Sequence, residues 1–572
     1  MGKYFSCLAF LLSLSTSLSA QTVYLPATHE VYEFLGEMAA KQIITDYRDA
    51  VKPLSRQSIG KFLIRVDSLK TQLTAVEQEQ LKFYREEFYE EMKDLNDGSI
   101  SDERWHLYGY QNAPSRIAAD LIGSASYNHE SDGKILSELT AGLSAYGNVG
   151  SSVGAYFYYR ASHDGGSYIS TSAPSLSSLR PLSPATAMIA SGSTTVSEAM
   201  HNVYDYDVLY AQANVDLGFV TLTGEQMQNV WGAGENGNII LSTKSPAYPQ
   251  VKLHARLSKD IDFTYIHGWL FSGVIDSSQT YNPQYFGKRP IYMNKYIAAN
   301  MLEFTPWNGV NIALGESEIY GGPGRNPELL YLIPIMFFKT AEHYLGNQDN
   351  SQIFFNLKFN VVKNFDFYLP IFIDELSTST FLSQTKNRNQ LGFTLGGDSY
   401  DLFYHDTRIN IEYTRINPWV YNHQYPEDSY QNHGVNLGDW IGQNADLFAA
   451  SVYHRPMYNL EIGLKFQSLR KGGKESTYYQ YEYTGVTPPF LYGPITKQQS
   501  FGIVGSYQPL RDLYIVFHAL RTRFTTQMTS SYTDNSVSPG YNEFLNNPFD
   551  YVLDPSYAGN YDFLIGIRYN VH

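Results

Sequence analysis

The chain ends Tyr561-Asp562-Phe563-Leu564-Ile565-Gly566-Ile567-Arg568-Tyr569-Asn570-Val571-His572, and the alternation in this stretch decides the fold. Tyr561, Phe563, Ile565, Ile567, Tyr569 and Val571 put apolar side chains on one face. Asp562, Gly566, Arg568, Asn570 and His572 fall on the other, with Leu564 the one exception. Side chains of a strand point alternately to its two faces. A strand that is oily on one side, wet on the other and placed last in the chain suits an outer-membrane barrel, where closure leaves no unpaired edge in lipid. A strand of a soluble sandwich alternates as well, so the rest of the sequence has to choose.

The beginning of the chain favours the membrane. Lys3, the apolar run Leu8–Leu14 and the small residues Ser17, Ser19 and Ala20 before Gln21 predict a secretory signal over residues 1–20. The single cysteine, Cys7, falls inside it. The mature chain is then expected to lack disulfides, thiolate metal sites and a cysteine nucleophile. The chain has 48 Tyr, 32 Phe and 6 Trp, yet its mean hydropathy is −0.30. After the signal no apolar run reaches the ~18 residues of a membrane helix. Aromatic-rich but hydrophilic on average is the balance of barrel strands whose two faces cancel. A net charge of −15 argues against nucleic acid as a partner.

From Thr28 to about Leu95 the apolar spacing is helical. Thr28 is a predicted N-cap, with Val31, Phe34, Leu35 and Met38 behind it and Pro53 as the stop. A second helix is expected near Ser55, and a third opens with the capping-box pair Thr74 and Glu77 and stops near Gly98. Beyond about Gly123 the period becomes two. Val251, Leu253, Ala255 and Leu257 alternate with Lys252, His254 and Arg256, and Tyr458, Leu460, Ile462, Leu464 and Phe466 alternate with Asn459, Glu461, Gly463, Lys465 and Gln467. The expected fold is mainly β: a large antiparallel transmembrane β-barrel of ~16–18 strands with a small N-terminal helical bundle. The expected division is a signal at 1–20, a periplasmic helical bundle at 21–100 and an outer-membrane barrel at 101–572. Turns at 362–364 and 508–512 are predicted to face the periplasm. Longer connections, among them 162–197, 321–348, 417–445 and 525–559, are predicted to lie outside the cell or to fold into the lumen.

Three stretches go beyond a generic barrel. The first is Trp231-Gly232-Ala233-Gly234-Glu235-Asn236-Gly237-Asn238, running on to Ser245-Pro246-Ala247-Tyr248-Pro249. The second is Glu412-Tyr413-Thr414-Arg415-Ile416-Asn417-Pro418, and the third is Pro53-Leu54-Ser55-Arg56. Together they resemble the capsule-assembly Wzi family over most of the mature chain. The resemblance implies an outer-membrane barrel of about eighteen strands with helices on the periplasmic side. It also implies a lectin-like role in assembling or attaching capsular or exported polysaccharide, without hydrolase or transferase activity.

Sugar recognition needs flat aromatic faces for C–H surfaces and planar polar groups for hydroxyls. Trp231, Glu235 and Asn236 supply both kinds, as do Glu412, Tyr413, Arg415, Asn417, Trp419 and Tyr421. An acidic glycan would also draw on Arg256, Arg408, Arg415 and Lys465, expected to face the lumen. The same residues also suit a lumen network in which polar groups only satisfy one another. The spacing of His405, Asp406 and His423 matches no metal signature. No Gly-x-Ser-x-Gly elbow is present. Neither an enzyme nor a cofactor is therefore expected. The expected partners are polysaccharide, outer-membrane lipid and envelope assembly proteins. A diffusion channel and a docking barrel for an envelope complex are the alternatives.

Overall fold

The computed structural model describes residues 23–93, 103–112, 115–150, 152–167, 193–200, 203–281, 289–376, 389–473, 490–491, 495–527 and 560–570. The expected signal segment and the expected stop at Gly98 lie outside them.

Eighteen strands close into one antiparallel cylinder. They are β1 (Ser115–Glu130), β2 (Ile135–Val149), β3 (Val153–Gly165), β4 (Val203–Asp216), β5 (Val220–Met227) and β6 (Tyr248–Ser258). Next come β7 (Ile261–Ile275), β8 (Tyr292–Trp307), β9 (Val310–Gly322), β10 (Asn350–Phe359), β11 (Phe365–Glu375) and β12 (Gln390–Tyr400). The last six are β13 (Thr407–Ile416), β14 (Ala445–Met457), β15 (Leu460–Lys471), β16 (Ile495–Leu510), β17 (Leu513–Gln527) and β18 (Asn560–Tyr569). The stretch that opened the sequence reading is the closing strand. β18 lies between β17 and β1, with Ile565 opposite Phe517 on one side and Tyr127 on the other. Its apolar row is outside: Tyr561, Phe563, Ile565 and Ile567 are each about half exposed. Leu121, Leu139, Leu314, Ile411 and Leu464 continue that row on other strands, giving the surface a barrel shows to lipid.

The two rims differ. One carries short turns, such as 217–219, 259–260, 308–309 and 511–512; the other carries nearly all the long connections. The N-terminal helices lie across the short-turn rim. They are α1 (Val31–Ala40), α2 (Arg56–Ser68), α3 (Ala75–Glu87) and α4 (Tyr89–Lys93), packed around Phe34, Leu35, Ile59, Leu63, Leu81 and Phe88. Ser55 caps α2 by accepting from Ser58 N–H, and Thr74 with Glu77 forms the expected capping box of α3. The start of α1 differs from expectation. Glu30, not Thr28, is the N-cap residue, and its side chain makes no cap; the His29 ring Nδ1 instead accepts from Val31 N–H. The end of α1 differs too. Lys41 is buried among Glu37, Glu77 and Asp401, and Gln42 turns left-handed at φ 62°, so the chain leaves the helix well before Pro53. Residues 41–54 then run along the inside of the wall. Arg48 pairs with Asp262, Ala50 N–H donates to Glu303, and Asp49 pairs with Lys358.

The helical layer is held to the rim by charge. Arg56, from the third of the sequence stretches, is 3% exposed. It pairs with Glu87 and Glu91 and lies over the rings of Phe88 and Tyr146, the latter on β2. Arg104 joins Glu87 to Asp120 and Asp512. Burial pushes the Glu87 carboxyl up, but Arg104 and Arg56 override it and hold the group well below the usual carboxylate range.

Candidate functional site

The lumen between the helices and the far rim is filled by two connections that turn inward, 228–247 and 417–444. Ile239, Ile240 and Leu241 of the first pack with Val420, Tyr421, Tyr430, Trp440 and Ile441 of the second. Around them stand inward-facing wall residues that are themselves apolar, such as Ile266, Ile297, Met301, Phe354 and Phe372. Polar contacts join the two connections into one body. Tyr421 and Tyr430 donate their hydroxyls to the carbonyls of Ile239 (2.6 Å) and Ile240 (3.0 Å), and Ser242 donates to the Gly438 carbonyl (2.6 Å). This plug also meets the N-terminal segment. Val51 and Lys52 form a two-residue antiparallel ribbon with Val230 and Trp231, and Gly232 N–H donates to the Ala50 carbonyl.

The first two sequence stretches, far apart in the chain, touch here. The Glu412 carboxylate reaches inward from β13 and accepts from the successive N–H groups of Glu235 (2.7 Å) and Asn236 (3.1 Å), as well as from the Tyr368 hydroxyl. Glu235 accepts a forked pair from Arg408 at 3.0 and 3.2 Å, and Arg408 reaches Glu33 of α1 at 3.7 Å. Asn236 accepts from Trp440 Nε1 at its carbonyl and from Gln467 at its side chain. Gly232 sits at φ 85°, a left-handed backbone that suits glycine. A Cβ on Gly237 would run into the Asp439 carboxylate, so the two connections approach closely at this glycine.

Ten of the residues singled out from the sequence therefore fall into three places. Trp231, Glu235, Asn236, Arg408, Glu412 and Trp419 belong to the plug. Trp231, Glu412 and Trp419 are at most 2% exposed, and Trp231 presents no open ring face on which a sugar ring could stack. Trp419 holds a left-handed turn at φ 70° and donates its N–H to Gln443. Arg415 corrects the expectation that it faces the lumen, and Tyr413 lies on the same outer face. Along β13 the residues at 408, 410, 412 and 414 point inward, so 413 and 415 point out. They sit near the long-loop rim, where Tyr413 and Arg470 share Asp446 and the Arg415 guanidinium lies 3.8 Å from the Phe490 ring centre. Asn417 accepts from Arg415. Arg256 is at the opposite end. With Arg48, Lys61, Lys252 and Phe62 it lines a cleft of about 170 Å³ between α2 and the wall, where it pairs with Asp262.

Sequence reasoning missed Tyr430 and Trp440, which join the two connections beside the motif residues, and Asp439, which accepts from Ile441 N–H. The available signal was on the strands. Tyr296-Ile297-Ala298-Ala299 on β8 does not alternate, and a strand apolar on both faces implies that something dry fills the lumen beside it.

A family model described as capsule assembly protein Wzi matches residues 135–513. Among solved structures the chain is similar to Wzi of Escherichia coli, an outer-membrane protein involved in group 1 capsule assembly and a carbohydrate-binding β-barrel. Identity is 11%, the TM-score is 0.54, and the match covers 96% of this chain and 100% of that one. It is similar at lower TM-scores to OprD of Pseudomonas aeruginosa (0.40, 9% identity, 79% of this chain and 92% of that one). OccAB2 of Acinetobacter baumannii gives a comparable match (0.41, 8% identity, 80% and 97%). No curated protein matches by sequence.

Proposed function

Because the chain belongs to the family of the capsule assembly protein Wzi, we propose that it is a non-catalytic outer-membrane barrel that assembles or retains capsular or exported polysaccharide at the cell surface. The observation that carries this reading is the filled lumen. A diffusion channel needs a continuous aqueous path, and here helices cover one end while two mutually bonded connections and the 41–54 segment occupy the interior. The protein then acts through surfaces and not through a pore. Short turns face the periplasm in outer-membrane barrels and long loops face outward, so the helical layer is assigned to the periplasm, within reach of envelope assembly proteins.

Within this reading the ten residues divide their work. Trp231, Glu235, Asn236, Arg408, Glu412 and Trp419 hold the plug in shape, and Asn417 braces Arg415. Tyr413 and Arg415, with Arg470, offer an aromatic edge and cations at the outer rim, a combination suited to an acidic glycan. Arg256 serves the periplasmic cleft.

The test has two arms. Purified protein is offered an array of capsular and exported glycans, and cells lacking the gene are assayed for surface and shed polysaccharide. Retention on the array and shedding by the mutant are expected. Unchanged surface polysaccharide together with an empty array removes the reading.

A further inference from the structure

One long connection neither projects from the rim nor enters the lumen. Residues 323–349, which include the helix α5 (Phe338–Leu345), fold down the outside of the wall over β7, β8 and β9. The residues beneath face outward, because Ile266, Ile297 and Ile319 on the same strands face the plug. They include Tyr265, His267, Tyr296, Asn300, Glu316, Glu318 and Tyr320, all at most 9% exposed. Phe338 N–H donates to Glu316, which lies six residues below the end of β9, so the segment descends roughly 20 Å along the strand.

Two features of this strap suit it to hydrocarbon. First, many of its backbone groups are bonded within the strap or to the wall beneath. Tyr331 and Leu332 N–H donate to the Glu328 carbonyl, Met336 to Ile333, and Glu328 N–H to the Tyr320 hydroxyl. The carbonyls of Arg325 and Tyr331 accept from the hydroxyls of Tyr296 and Tyr265. Several of its charges are turned inward too, with Arg325 on Asp349 and Glu342, like Glu318 of the wall, within hydrogen-bond reach of the Ser351 hydroxyl, while Lys339 pairs with Glu342 and keeps its side chain 42% exposed. Irregular chain is tolerated at membrane depth only when such groups are met. Second, its outer side is apolar over 329–337 and again at Tyr344, with polar residues exposed at 326, 340, 343, 347 and 348. Leu329 is 71% exposed, Ile335 84%, Phe337 54% and Tyr344 82%. This surface continues the lipid-facing row of Leu314 and Ile353 on the strands below.

We propose that residues 323–349 form a lipid-facing strap that lies in the outer membrane against acyl chains, replacing a stretch of wall whose own outer face is too polar for lipid. The occupant of its outer side is the bilayer, because the apolar surface is continuous with the belt that the bilayer already covers.

The chain's one cysteine lies in the expected signal, so single cysteines can carry a fluorescent label. Ile335→Cys and Tyr344→Cys are labelled and reconstituted in phosphatidylethanolamine–phosphatidylglycerol vesicles, with Leu314→Cys as the lipid control and Leu402→Cys on the short-turn rim as the water control. Gel mobility with and without heating verifies that each variant is folded. Labels at 335 and 344 are expected to be quenched by acyl-chain nitroxide lipid as strongly as the label at 314, and to ignore iodide. Iodide quenching comparable to that at 402 would place the strap in water. Protection from both quenchers would mean that a second copy or another protein covers it. Either result overturns the proposal.

Discussion

At the residue scale the plug rests on a few contacts that leave no slack. Glu412 is the only described partner of two adjacent backbone N–H groups in the 231–238 turn. Removing a charged acceptor strands those donors in a dry interior, so Glu412→Ala is expected to lower stability against urea by about 2 kcal/mol, with Glu412→Gln milder. Gly237→Ala pushes a methyl into the Asp439 carboxylate and is expected to cost about 1–3 kcal/mol, read in the same unfolding curves. Glu87 is a pH-dependent tie. Its carboxyl is held below its ordinary range in the folded protein, so its contribution is complete above the unfolded value of about 4.3 and is lost as pH falls through the folded value. The helical layer is therefore expected to loosen in acid and not in base. Glu87→Gln, which leaves Arg56 and Arg104 short of a partner, should lose about 3 kcal/mol at neutral pH and flatten that acid limb in a pH series of melting curves.

At the element scale, legibility followed periodicity. β18, β6 and β15 were readable because lipid outside and polar groups inside force an alternation. The capping box at Thr74 was readable because it is local chemistry. Thr74→Ala removes that cap and the bond from its hydroxyl to Asp406 on a barrel turn. A loss of at least about 1 kcal/mol is expected, seen as a lower melting temperature of the helical circular-dichroism signal. The plug and the strap were not readable as such, because both are irregular chain whose course is set by tertiary partners. The candidate stretches at 231–238 and 412–418 meet in the structure, and their glycine turns and carboxylates mainly join connections to each other. Whether Arg415 faced in or out depended on a register of one residue, and a strand read alone does not fix its register against a barrel wall. The apolar run Leu329–Phe338 stood in the sequence as a sign that 321–348 would not be a plain surface loop.

At the scale of the whole molecule, a sealed cylinder makes a plain electrical prediction. The purified protein should show no steady conductance in planar bilayers. Deleting residues 23–93 should leave the inner plug in place and the current near zero, and current should arise only when 228–247 is shortened as well. The two-residue ribbon of Val51–Lys52 with Val230–Trp231 gives this sealing a mechanical meaning. It splices a strand of chain rooted in the helices to one rooted among the outer loops, so main-chain bonds run unbroken through the thickness of the bilayer. On the proposed reading, tension from a polymer gripped at the long-loop rim would reach the other rim as a pull on α1 and α2.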